Sequence, residues 1–123
     1  NLMRNSLRLM IWNNYGNIKA MIKMTTFKFV TINENLGTRQ LGEKARELLL
    51  RLIAENDKVV LDFTGVNVVS NSFADECLAK LLFTMPLEEL KQRTTFRGLN
   101  EFARKNIAIA FRRRLNAMNL DAC

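Results

Sequence analysis

The stretch Lys58-Val59-Val60-Leu61-Asp62-Phe63-Thr64-Gly65, continued by Val66-Asn67-Val68-Val69 and Ser70-Asn71-Ser72-Phe73-Ala74-Asp75-Glu76, decides the fold. Its first six residues form a short, nearly continuous apolar run, which suits a strand buried on both faces at the centre of a sheet. Thr64-Gly65 breaks that run. The polar triplet Ser70-Asn71-Ser72 then leads into Phe73, Cys77, Leu78, Leu81 and Leu82, a stripe at helical spacing, so a helix starts within one residue of Ser72. Ser72 followed by Asp75 has the form of a capping box, with Asp in place of the longer Glu or Gln. The helix is expected to end before Pro86, because proline disfavours helical backbone at the residue preceding it.

Upstream, the aromatic and β-branched residues from Thr25 to Ile32 predict a strand with Phe27, Phe29 and Thr31 on one face. Asn33 to Thr38 turns the chain, and Gly37 is free to take positive φ there. From Arg39 to Glu55 the apolar positions Leu41, Ala45, Leu48, Leu49, Leu52 and Ile53 recur at helical spacing, giving an amphipathic helix that should cover a sheet. Downstream, Leu87 to Gln92 makes a short helical turn and Thr94 to Leu99 a strand. Asn100 caps a final helix through about Leu115, with Ala103, Ile107, Ala110 and Phe111 inward. The order β-α-β-α-β-α predicts an α/β domain with a mixed or parallel sheet covered by helices.

The whole chain has 123 residues, 48% of them hydrophobic, which is enough for one core and too few for two ordinary domains. That domain is expected over residues 24–118. Residues 1–23 combine Met, Asn, Arg and Leu with no acid and a turn signal at Asn13 to Asn17, and they read as an amino-terminal extension, non-native or poorly packed. A native amphipathic segment and a basic, acid-free targeting peptide are the alternatives. The apolar stretch Leu9 to Trp12 is shorter than the core of a secretory signal, and no run reaches the roughly 18 to 20 residues of a membrane span. A soluble, cytoplasmic protein is expected.

The chemistry is limited by what is missing. The chain has no histidine, the commonest general base and metal ligand, and its two cysteines, Cys77 and Cys123, form no close pair. Asp62 has no second carboxylate at a convincing spacing. No catalytic residue, metal or cofactor is therefore expected. The net charge of +7 is uneven: residues 1–24 carry +4 of it. A second basic region, Lys91, Arg93, Arg97, Arg104, Lys105, Arg112, Arg113 and Arg114, is opposed between its ends only by Glu101.

Asp62-Phe63-Thr64-Gly65-Val66, with Val69 and Ser72-Phe73-Ala74-Asp75-Glu76, resembles the signature of bacterial STAS-like domains of unknown function. The likeness runs from about Met24 to Leu115, with Gly37 to Leu49 similar to the family's first helix and Thr95 to Ala110 to its last strand and helix. It implies kinship with anti-sigma-factor antagonists, which bind a partner with a kinase-type ATP-binding fold and release it when a serine at this helix start is phosphorylated. Asn71 occupies that serine's position, flanked by Ser70 and Ser72, and Phe73 stands where the antagonists have a glycine.

The expected site is thus a protein-binding surface of Val69, Ser70, Asn71, Ser72, Phe73, Asp75 and Glu76, with Ser70 and Ser72 as phosphorylation candidates. Its position beyond the carboxyl end of a central strand is where open α/β sheets bind ligands. Other readings attach to the same residues: Ser72 as a simple helix cap, Asn71 as a turn residue at positive φ, Phe73 as a buried staple, and Asp75 and Glu76 as first-turn acids favoured by the helix dipole. The alternative function is nucleic-acid binding through the basic 91–114 region. No phosphate-loop pattern supports a nucleotide sensor.

Overall fold

The computed structural model describes residues 7–122. Its elements in chain order are β1 (Leu7–Trp12), β2 (Ile18–Lys28), β3 (Asn35–Leu36), α1 (Arg39–Glu55), β4 (Lys58–Asp62), β5 (Val68–Val69), α2 (Asn71–Cys77), α3 (Leu87–Arg93), β6 (Thr94–Arg97) and α4 (Glu101–Ala122). Four strands make a sheet in the order β1-β2-β4-β6, with β1 antiparallel to β2 and the other pairs parallel. This is the expected α/β fold with a mixed sheet. β3 and β5 form a separate two-residue parallel ladder, Asn35 opposite Val68 and Leu36 opposite Val69.

β4 lies between β2 and β6, as its apolar run predicts, but only one sheet face is sealed. Register places Phe27 beside Leu61 and Thr26 beside Val60; the first pair is buried and the second only half-buried. At the carboxyl ends of β2 and β4, the rings of Phe27, Phe29 and Phe63 stack in sequence with centroids 4.4 and 4.1 Å apart. Phe73 of α2 meets Phe29 edge-on at 6.3 Å. Such geometries align the quadrupoles of the rings favourably, so the aromatic column ties α2 to the sheet.

Several element boundaries differ from the sequence reading. The strand expected to begin at Thr25 starts at Ile18, so the backbone shows no break at residue 23. Residues 1–6 and Cys123, about which expectations were also stated, lie outside the described residues. After Lys28 the chain leaves the sheet in a 3-10 turn, Phe29–Thr31, in which the Thr31 hydroxyl donates to the Lys28 carbonyl at 2.6 Å. Gly37 does not take positive φ; Gly16, Gly65 and Gly98 do.

Gly98, at φ +74°, also lies against the loop leaving β4: a Cβ there would come within 2.7 Å of the Thr64 backbone nitrogen. Only glycine permits this approach.

The single helix expected from Phe73 towards Pro86 is two pieces, α2 and a 3-10 segment, Ala79–Phe83. Leu78, Ala79, Leu81 and Leu82 are all buried. A three-residue turn stacks Leu78 over Leu81 and Ala79 over Leu82, a pairing that the 3.6-residue turn would spread around the helix. The last helix extends past the expected Leu115 to Ala122.

Candidate functional site

The site starts where β4 ends. Asp62 accepts from the Thr64 backbone N–H at 2.9 Å and from the Arg97 guanidinium at 2.9 Å. Burial works against its charge, but the hydrogen bonds from Thr64 and Arg97 prevail and hold its carboxyl down to about 2. Asp62 therefore anchors the turn as an ionised acceptor. Gly65 follows at φ +84°, and the chain reaches α2 through the ladder of β3 and β5.

Ser70, not Ser72, is the helix cap. Its hydroxyl accepts from the Phe73 N–H at 3.0 Å and donates to the Gly37 carbonyl at 3.1 Å, while its backbone N–H donates to the Leu36 carbonyl at 3.0 Å. The loop before α1 thereby chooses the cap. With Asn71 as the first helical residue, Ser72 and Asp75 do not form a capping box, and α2 has no acid in its first turn. Asn71 does not take positive φ; none of the described non-glycine residues does.

The seven residues expected to form a binding surface divide by burial. Val69 and Phe73 are fully buried and Glu76 is 7% exposed, so these three hold the helix in place. Ser70, Ser72 and Asp75 are half-buried and Asn71 is exposed. Asp75 accepts from Arg114 at 2.6 and 2.7 Å and from Arg39 at 2.9 Å. Burial alone would raise its pKa, but Arg114 and Arg39 lower it.

Glu76 accepts from Arg46 at 2.7 Å, from Lys80 at 3.0 Å and from Arg39 at 3.2 Å. The Arg46 hydrogen bond leads in bringing its carboxyl to about 2 against the opposing effect of burial, helped by Lys80 and Arg39. Arg46 also donates to the Glu76 carbonyl. Cys77 is completely buried, and that burial pushes its thiol up and leaves it unreactive.

Beside this network a cleft of about 250 Å³ opens between α2 and α4, lined by Arg39, Asn71, Ser72, Asp75, Arg113 and Arg114, with Ala110 and Ala117. Arg39, Arg46 and Lys80 escaped the sequence reading. Only Lys80 had a local signal, four residues after Glu76; Arg39 and Arg46 reach their partners from α1 across the fold.

Part of the basic 91–114 region is engaged within the fold. Arg93 donates to the carbonyls of Ile53, Asn56 and Asp57, Arg97 pairs with Asp62, and Arg114 pairs with Asp75. Arg104, Lys105, Arg112 and Arg113 make no ion pair among the described residues.

Residues 42–103 match the family described as the STAS-like domain of unknown function (DUF4325). The chain belongs to that family. The matched span of this STAS-like domain contains most of α1, β4, α2, α3, β6 and the start of α4, and hence the whole segment from Asp62 to Glu76; it is narrower at both ends than the likeness read from the residues. No curated protein and no solved structure matches the chain. No helix among the described residues is long and apolar enough to cross a membrane.

Proposed function

We propose that this STAS-like domain is a non-catalytic regulatory module of the cytoplasm that binds a protein partner through Ser70, Asn71 and Ser72 and the cleft beside them. The observation that carries the reading is the cleft itself: Asn71 and Ser72 share it with Arg39, Arg113 and Arg114, and Asp75 is its one acid. Arg39 and Arg114 already pair with Asp75, which leaves Arg113 to meet an acidic side chain on the partner. By the resemblance of the central motif, the partner is a kinase-type ATP-binding regulator or an anti-sigma-like protein. Of the two candidate serines, Ser72 is the better phosphorylation site, because Ser70 spends its hydroxyl on the helix cap and on Gly37. A phosphate on Ser72 would compete for Arg113, the cation an acidic partner needs.

The test is calorimetric titration of the purified domain with a kinase-type ATP-binding protein from the same genome. Ser72→Glu and Arg113→Glu should each weaken binding about tenfold or more while the circular dichroism spectrum stays that of the wild type. Wild-type affinity in both variants would show the surface to be misplaced. Phe73→Ala is unsuitable for this purpose, since emptying a fully buried site costs about 3–5 kcal/mol of stability. Nucleic-acid binding has less support, because Arg93, Arg97 and Arg114 are engaged within the fold.

A further inference from the structure

A second cavity, of about 520 Å³, opens between α3, β6 and α4 and shares no lining residue with the cleft at Ser72. Small-molecule sites occupy roughly 300–1,000 Å³. The floor is hydrocarbon: Leu61, Leu78, Leu81 and Ile107 are each 5% exposed or less. The mouth differs in character, for its charged groups are Lys91 and Arg104, and the lining contains no acid. Arg104 makes no ion pair among the described residues, and Lys91 has only a loose one, 4.0 Å from Glu88 on the same helix. Apolar walls with a few convergent polar groups are the usual make-up of a ligand site.

We propose that this cavity binds a small apolar acid, a hydrocarbon body whose carboxylate lies between Lys91 and Arg104. The body replaces water against the leucine floor, and the carboxylate stays at the mouth, where both cations remain hydrated and need no desolvation to meet it. This site does not depend on the partner-binding reading. Leu78 caps the carboxyl end of α2, so the cavity and the Ser72 surface lie at opposite ends of one short helix.

The experiment is isothermal titration of the full chain with decanoate, octanoate, decanol and decyltrimethylammonium, each below its micelle concentration. Decanoate should bind, octanoate about tenfold more weakly for the loss of two buried methylenes, and the cation not at all. Arg104→Glu should weaken decanoate about tenfold and leave decanol unchanged. Ala108→Trp, at an exposed position on the cavity rim, should abolish binding of both; circular dichroism verifies the fold of each variant. Equal affinity for decanoate and the cation, or decanoate binding that Ala108→Trp leaves intact, overturns the assignment. So does a dimer that Ala108→Trp dissociates and decanoate does not, because a second copy would then be the occupant.

Discussion

Glu76 shows how a carboxylate can sit in the interior of this fold and keep its charge. Three cations from two helices, Arg46 and Arg39 on α1 and Lys80 after α2, replace the water it gives up. From the sequence it read as a first-turn acid, because local spacing reveals Lys80 at four residues but neither Arg46 at 30 nor Arg39 at 37. Its folded carboxyl titrates at about 2 and its ordinary value is 4.5. Between those values the unfolded chain binds the proton first, so the stabilisation is complete above about 4.5 and is lost as pH falls towards 2. Asp62 adds a dependence of the same sign. Glu76→Gln should therefore lower unfolding free energy by about 2 kcal/mol at neutral pH. Urea denaturation at pH 7 and pH 3 should show the gap between wild type and variant narrowing in acid; an equal gap at both would mean that charge at this position contributes nothing.

At the scale of elements, the start of α2 was legible to within one residue, because a polar triplet before an apolar helical stripe is a local signal. Which serine caps it was not legible. Ser70 and Ser72 have equal intrinsic preference for the role, and the choice is made by the Leu36 and Gly37 carbonyls, brought alongside by a two-residue ladder too short to register as a strand pattern. The two serines thus have different expected energetics. Ser70→Ala should cost about 1 kcal/mol, the usual worth of a capping hydroxyl. Ser72→Ala should lie within about 0.5 kcal/mol of wild type, as for a surface change that removes no such bond. Chemical denaturation of the two variants side by side checks this, and a larger loss for Ser72→Ala would return the cap to that residue. The same reasoning explains the break after Cys77: four buried apolar side chains at Leu78, Ala79, Leu81 and Leu82 are a packing demand that helical periodicity alone does not reveal.

Over the whole molecule, the alternation of strands and helices was readable because the short apolar run Lys58 to Phe63 suits a central strand and amphipathic helical stripes flank it. The hairpin of β1 and β2 was not, because residues 7–21 bury nothing and so carry no pattern of inward and outward positions. All six residues of β1 are exposed, as is β2 through Met21, and burial becomes complete only at Thr25. The first ties to the body of the fold are at Lys23, whose N–H donates to the Asp57 carboxylate at 2.8 Å and whose carbonyl accepts from the Asp57 N–H at 2.8 Å. Energetically the folding unit should therefore begin near Lys23, although the backbone ladder starts at Leu7. Removing residues 1–17 should leave the urea unfolding free energy within about 0.5 kcal/mol of the full chain, because no buried side chain is lost. Lys19 and Lys23 on the newly bared edge of β2 should keep it from pairing with other chains. Removing residues 1–25 takes away the Asp57 contacts and buried Thr25, and with them the cooperative transition. Far-UV circular dichroism is the appropriate probe, since Trp12, the one tryptophan, goes with either deletion. A loss of several kcal/mol from the shorter deletion would show that β1 supports the sheet through its backbone hydrogen bonds alone.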